Sequence, residues 1–334
     1  MAIILNPSLG NLELCKDRLE NSEVVAIPTE TVYGLAANAL DTNAVNKIFE
    51  IKNRPFIDPL IIHVPSIIKA DSYCKLTDQA KILAEKFWPG PLTMVLPKKP
   101  IIPDLVTAKL DSVAIRCPKN KILLDLLKIL NFPLAAPSAN PFGYISPTKA
   151  EHVEDSLGKK IEYILNGENC SIGIESTIVD LRNDSKPSIL RPGPITQEML
   201  EDVTKIKFNY REEEILNSES SGLLGPGLLK NHYSPNTSLE LRLKDEILYM
   251  AQKKFNENTA YLFLSKPKYP KEISKKSNIF WLSDNGEVGT IIQNLYHKLR
   301  LLDKAEYSLI IVEKFDNIKG IKMALLDRLK KASS

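Results

Sequence analysis

The chain is poor in the features that usually announce a function. Its 334 residues include four cysteines, Cys15, Cys74, Cys117 and Cys170, and none of them stands at the Cys-x-x-Cys spacing of a zinc knuckle or dithiol redox centre. Reduced thiols are expected. No apolar run approaches the ~20 residues that span a bilayer, and the amino terminus lacks the basic-then-apolar pattern of a secretory signal. The expected location is the cytoplasm, with no membrane contact. A Walker A sequence, a GxGxxG turn, an HExxH pair and an EF-hand loop are also missing, which removes the common short signatures of phosphate and metal sites. Excess charge is scarce too: 44 Lys and Arg against 41 Asp and Glu give +3, too little for a dedicated nucleic-acid binder.

What is there describes a folded chain of one large domain or two ordinary ones, 43% hydrophobic and 25% charged. Its charge is uneven: residues 1–240 carry 26 basic and 30 acidic side chains, net −4, and residues 241–334 carry 18 and 11, net +7. A face for a polyanion and a lysine-rich solvated surface both explain the second count.

Periodicity predicts a helix over 9–20 with Leu12, Cys15 and Leu19 on one face, a strand at Val24–Ile27, and a helix over 41–51 capped by Asp41 or Thr42. After the loop KNRPFIDPL comes the strand IIHV. A helix from Asp78 to Trp88 stops at Pro89-Gly90-Pro91, and strands follow at LTMVL and at Ser112–Ile115, their spacing hairpin-like. Lys121–Ile129 reads as a helix, Leu134–Ala136 and Ile174–Leu181 as strands. This alternation predicts a mixed α/β sheet flanked by helices, not a purely parallel one. From 209 to 237 the pattern loses its period, through Glu212–Glu214, SESSGLLGPG and KNHYSP, which reads as a linker. A second α/β pattern then runs over a helix near Asp245–Phe255, a strand Ala260–Leu264, a helix Val288–Leu302, a strand Ser308–Val312 and a helix after Gly320. The expected domains are 1–208, a linker 209–237, and 238–334.

Polar, turn-rich segments interrupt the first domain at strand ends, where open α/β sheets tend to place ligands. In PTETVYGL, residues 28–35, Thr29, Glu30 and Thr31 offer hydroxyls and a carboxylate, and a helix capped by Thr29 or Thr31 is the alternative. In KNRPFIDPLIIHV, residues 52–64, Lys52 and Arg54 can direct a point charge and a planar fork at phosphate oxygens, and Pro55 and Pro59 stiffen the loop. Asp58 can orient a cation or accept from a ribose or base, and His63 is a core imidazole or a ligand contact. SVAIRCP ends a strand in Arg116, an anchor for a carboxylate or phosphate, or half of a structural ion pair. APSANPFGYISPT carries Ser138, Asn140, Ser146 and Thr148, residues equally at home in ordinary turns. ESTIVD and RPG add Ser176, Thr177 and Arg191. Four basic groups, Lys52, Arg54, Arg116 and Arg191, in strand-end loops of a net acidic domain point to a small anionic ligand.

In order, PTETVYGL, the Lys-x-Arg-Pro loop with PLIIHV, FWPGPLTMVL, VAIRCP, APSAN, STIVD and LRPG resemble the Sua5 branch of the YrdC/Sua5 family, the threonylcarbamoyl-AMP synthases. The likeness covers residues 20 to about 200 and continues in HYSP at 232–235 and the final GIKMALLDRLKKA. It implies a YrdC-like twisted mixed sheet with flanking helices, followed by a smaller Rossmann-like Sua5 domain. It further implies an adenylate-forming nucleotidyltransferase that converts L-threonine, bicarbonate and ATP to threonylcarbamoyl-AMP and pyrophosphate for t6A37 of tRNA, with Mg2+ bound mainly through ATP phosphates.

By the same resemblance, Thr31, His63, Arg116 and Ser176 surround threonine. Lys52, Arg54, Asp58, Ser112, Ala136, Ser138, Asn140, Ser146, Arg191 and Tyr233 surround the nucleotide, with Lys52 and Arg54 acting on the reacting phosphates and the linker bringing Tyr233 over the cleft. No metal ligand is assigned. A monomer is expected, with t6A transferase proteins downstream and transient tRNA contact as a further partner. Three departures from the family pattern stand out: Asn53 where relatives commonly have glycine, Asp58 for their usual Asn, and Ser234 for alanine. Outside this reading stand a carbamoyltransferase using carbamoyl phosphate, whose extra zinc-finger-like region has no cysteine pattern here, and a double-stranded RNA or ribosome binder.

Overall fold

The apolar spacing at Leu12, Cys15 and Leu19 becomes the helix Leu9–Glu20, whose amino end is closed by the Ser8 hydroxyl accepting from Asn11 N. The Asp41 carboxylate does the same for Thr42–Lys52. That helix ends at Asn53 with φ 52, a left-handed position that Asn tolerates better than most residues, so the departure from glycine costs little. These elements belong to a computed structural model that describes residues 1–210, 224–227, 233–254, 256–268, 276–315 and 318–333. Glu212–Glu214 and His232, read above as parts of the linker, lie outside the described residues.

The chain divides into two compact units. The first comprises Met1–Phe142, Pro147–Ser171 and Glu175–Leu229; the second comprises Gly143–Ser146, Ile172–Ile174 and Lys230–Ser334. Among the described residues the first holds an eleven-stranded sheet in the order Ile3–Leu5, Tyr163–Leu165, Val25–Ile27, Gly34–Asn38, Leu134–Ala135, Ile61–His63, Ser112–Arg116, Leu92–Pro97, Thr177–Asp180, Ser188–Arg191, Asn209–Tyr210. The sheet is mixed. Leu92–Pro97 runs antiparallel to Ser112–Arg116 and parallel to Thr177–Asp180, as the hairpin-like spacing predicts. Asn209–Tyr210 joins Ser188–Arg191 in parallel, so the sheet continues past the expected boundary at 208.

Alternation assigns the two faces of the central strands. Ile62, Met94, Val113, Ile115, Val179 and Ile189 enter the main core with Val45, Ile48 and Phe49 of the helix Thr42–Lys52 and Leu83 of Asp78–Phe87. Ile61, Val95, Ala114, Ile178 and Leu190 form a smaller cluster on the other face, with Leu224 packed on it.

PTETVYGL does not begin a helix. The Thr29 hydroxyl accepts from Thr31 N and Val32 N in a turn, and Gly34–Asn38 continues as a strand antiparallel to Val25–Ile27. GLAAN lacks β-branched residues and alternation, which is why periodicity misses it. Gly34 is needed for closeness: a Cβ there would stand 3.2 Å from Ala136 Cβ. The expected strand Ile174–Leu181 shortens to Thr177–Asp180.

Among the described residues the second unit has four strands, all parallel, in the order Leu239–Arg242, Leu309–Glu313, Thr259–Ser265, Ile279–Ser283. Its helices are Lys244–Lys253, Val288–Lys304 and Ile321–Ala332. The sequence reading missed Leu239–Arg242, although LELR alternates apolar and polar residues, and Ile279–Ser283, whose apolar run IFWL carries no alternation. No helix among the described residues is long and apolar enough to cross a membrane.

Candidate active site

The first unit's site grows from strand register. His63 pairs with Arg116, Thr93 lies one step beyond the Met94–Ile115 pair and so opposite Arg116, Thr93 pairs with Ile178, and Ile178 pairs with Arg191. Residues facing each other across strands share a face. His63, Arg116, Thr93 and Arg191, scattered over 129 positions of sequence from 63 to 191, thus form one belt beside the Ile61–Ala114–Val95–Ile178 cluster.

Arg116 is held from three sides. Its Nη2 donates to Glu30 Oε1 at 2.6 Å, Nη1 to Thr31 Oγ1 at 3.0 Å and Nε to Gly90 O at 3.2 Å. Glu30 Oε2 accepts from Lys119 N at 3.0 Å, and the pair is buried, with side chains 4% and 5% exposed. Glu30 thus accepts on both oxygens, which makes it a fixture for Arg116. The Thr29 and Thr31 hydroxyls lie 2.8 Å apart. His63 Nδ1 is buried and makes no hydrogen bond among the described residues. Burial, and then the Arg116 charge, pull the imidazole pKa from 6.5 to about 3, so it stays neutral at ordinary pH.

Across the belt, Arg191 Nε and Nη2 donate to Ser176 O at 3.1 and 3.0 Å, and Nη1 donates to Pro226 O at 3.1 Å. The Ser176 hydroxyl lies 2.7 Å from Thr93 Oγ1 and accepts from Arg191 Nη2 at 3.2 Å. Gly193 makes this approach feasible, since a Cβ there would fall 2.3 Å from Thr177 N.

The Lys-x-Arg-Pro loop completes the group. Lys52, at the end of its helix, donates from Nζ to Ser138 O and Asn140 O, each at 2.5 Å. Burial drives its pKa well below the usual lysine value and Arg54 adds to this, while Asp58 opposes it. Arg54 donates to Asp58 O at 3.0 Å and Pro59 O at 2.8 Å, and its Nη2 stands 2.9 Å from Asp58 Oδ1. Asp58 is fully buried; burial raises its pKa, and Arg54, Lys52 and Arg191 pull it back down. That Asp58 senses all three cations places Lys52, Arg54 and Arg191 in one neighbourhood.

The other predicted residues fall as follows. Ala136 N donates to Ile61 O, and the half-buried Ser138 bridges Gly34. Asn140 is buried behind the Lys52 contact. Ser112 shares the face of Arg116 at the far end of its strand, and its buried hydroxyl makes no hydrogen bond among the described residues. Ser146 and Tyr233 belong to the second unit, where Ser234 N donates to Gly143 O, Tyr233 stacks on Tyr296 at 6.1 Å and Arg328 lies over its ring. The sequence reading missed Thr93, Gly90 and Pro226. A lone hydroxyl inside LTMVL was the available signal for the first; the other two act through backbone carbonyls and carry none.

Two family profiles match the chain: Sua5/YciO/YrdC, described as telomere recombination, over residues 17–193, and the threonylcarbamoyl-AMP synthase C-terminal domain over 195–334. A threonylcarbamoyl-AMP synthase of Pyrococcus abyssi is 38% identical over 94% of this chain and 92% of its own length. One of Bacillus subtilis is 36% identical over 94% and 90%. The crystal structure of P. abyssi Sua5 complexed with L-threonine superposes with a TM-score of 0.88 at 36% identity, covering 99% of this chain and 98% of that one.

Proposed function

The chain belongs to the Sua5/YciO/YrdC family, and from that premise we infer that it is a threonylcarbamoyl-AMP synthase, joining L-threonine, bicarbonate and ATP into threonylcarbamoyl-adenylate and pyrophosphate for t6A37 of tRNA. The observation that carries this reading is that Arg116 and Arg191 share one sheet face of the first unit, with Lys52 and Arg54 beside Arg191 around Asp58.

Threonine's carboxylate goes to Arg116, whose guanidinium plane is fixed by Glu30, Thr31 and Gly90 O. Neutral His63 and the Ser176 hydroxyl offer short polar contacts to the rest of the amino acid without adding charge. Threonine's amine and bicarbonate give a carbamate and water, and one carbamate oxygen attacks the α-phosphorus of ATP while pyrophosphate leaves. Carbamate and triphosphate repel each other. Lys52, Arg54 and Arg191, buried and fixed, offset that repulsion and stabilise the charge that develops on the phosphate oxygens. Mg2+ carried on the ATP phosphates would draw charge off the leaving group. Ser112, Ala136, Ser138 and Asn140 are proposed to line the nucleotide's path. Four buried cysteine thiols suit the reducing cytoplasm, and the product passes from a monomer to the transferase proteins that modify tRNA.

A mass-resolved product assay with substrate omissions tests the reading. Pyrophosphate release and an acid-labile product of threonylcarbamoyl-adenylate mass are expected only when threonine, bicarbonate and ATP are all present; release that persists without threonine or bicarbonate refutes it.

A further inference from the structure

Two buried carboxylates stand among the arginines of the first unit, and they are held differently. Glu30 accepts aligned hydrogen bonds on both oxygens. Asp58 Oδ1 lies 2.9 Å from Arg54 Nη2, yet neither Asp58 oxygen receives an aligned hydrogen bond among the described residues. Its side chain is 0% exposed, so bulk water does not screen the charge. The charged groups facing it are Lys52 from the end of the helix Thr42–Lys52, Arg54 from its own loop, and Arg191 from the end of the strand Ser188–Arg191. These are the cations assigned above to the phosphates, and an amide in place of the Asp58 carboxylate would leave them unopposed.

A carboxylate in that position offsets part of the positive charge around it before nucleotide arrives. It then faces incoming phosphate oxygens of its own sign in a site of low polarity, where like charges are costly. Burial already raises the Asp58 pKa, and added phosphate charge raises it further. We propose that Asp58 is a resident counter-anion that competes with the ATP phosphates for Lys52, Arg54 and Arg191 and surrenders its charge by taking a proton from solvent as the nucleotide binds. The proton adds to one carboxylate oxygen and no other bond changes. The inference rests on the assignment of these cations to nucleotide. Its consequence is that ATP affinity falls as pH rises between the Asp58 pKa before binding and that after it.

Calorimetry on the full chain with Mg2+ and ATP, without threonine, in buffers of different ionisation enthalpy, reads both affinity and proton uptake. Asp58→Asn is expected to bind ATP about tenfold more tightly near pH 8, with a shallower pH dependence and nearly one proton less taken up than wild type. Equal affinity and equal uptake would overturn the proposal. So would weaker binding by the variant, which would make Asp58 a direct ligand of the nucleotide or its Mg2+. Should the variant fail to fold, wild-type uptake with ATP, corrected for the nucleotide's own titration, is compared with adenosine; equal values overturn it. Arg54→Ala separates the two levels of inference. Unchanged ATP binding there defeats the nucleotide assignment itself, whereas weakened binding there beside an Asp58→Asn protein that behaves as wild type defeats only the role of Asp58.

Discussion

The two cationic ends of the first unit's site solve different problems. Arg116 is locked: a carboxylate, a hydroxyl and a backbone carbonyl fix the plane of its guanidinium at 2.6, 3.0 and 3.2 Å. Lys52, Arg54 and Arg191 lean mainly on backbone carbonyls, of Ser138, Asn140, Asp58, Pro59, Ser176 and Pro226. Carbonyls keep a cation in place without neutralising it, and the Asp58 carboxylate 2.9 Å from Arg54 offsets only part of the charge. The first arrangement suits a small planar carboxylate that must be oriented, the second a polyphosphate whose charge must be met. Direction matters at one end and total charge at the other.

That contrast breaks most readily at Arg116. Arg116→Lys keeps the charge but loses the fork, and leaves Glu30 and Thr31 with one donor to share; kcat/KM for threonine should fall roughly 100-fold, in line with disrupting a buried, directed ion pair. Steady-state pyrophosphate release checks it, and an Arg116→Lys enzyme that behaves like wild type would end the orientation argument. At the other end, Arg54→Ala should raise KM for ATP by about 30-fold, whereas Arg54→Lys, which preserves charge, should raise it only about threefold. Equal losses from the two Arg54 variants would mean that geometry rules there as well.

Glu30→Gln sharpens the comparison from the acceptor side. It keeps a hydrogen-bonding side chain but removes the charge, and should raise KM for threonine about tenfold while leaving KM for ATP within about twofold. Serine and threonine should suffer alike, because both present the same carboxylate. The smallest effect concerns stability. His63 is neutral in the folded protein down to about pH 3, while the unfolded chain binds its proton near 6.5, so the unfolded state holds more protons in that window and stability falls as pH is lowered through it. Thermal melts at about pH 7 and about pH 5 should converge for His63→Asn relative to wild type.

Much of this was legible before the fold was known, because strand-end loops rich in Arg, Lys, Ser and Thr announce themselves by composition. Lys52, Arg54, Arg116 and Arg191 are all buried and near one another or on one face. What stayed hidden is who pairs with whom. Glu30 and Arg116 are 86 positions apart, and only the placing of their segments at neighbouring strand ends brings them together. Thr93 was masked by its apolar neighbours in LTMVL. Strand Gly34–Asn38 was invisible because GLAAN holds no β-branched residue and its Gly34 serves a close approach to Ala136. Ser146 and Tyr233, grouped with the nucleotide residues by resemblance, belong to the second unit, where Tyr233 stacks on Tyr296.

The strand Leu92–Pro97 also limits how this protein can change over time. Met94 and Leu96 enter the main core while Thr93 and Val95 face the other side. Gaining or losing one residue there would exchange the two sets at a stroke, placing a hydroxyl in the interior and apolar side chains beside the reactants. Descendants can therefore revise this segment letter by letter, but lengthen or shorten the chain only in the bends outside it.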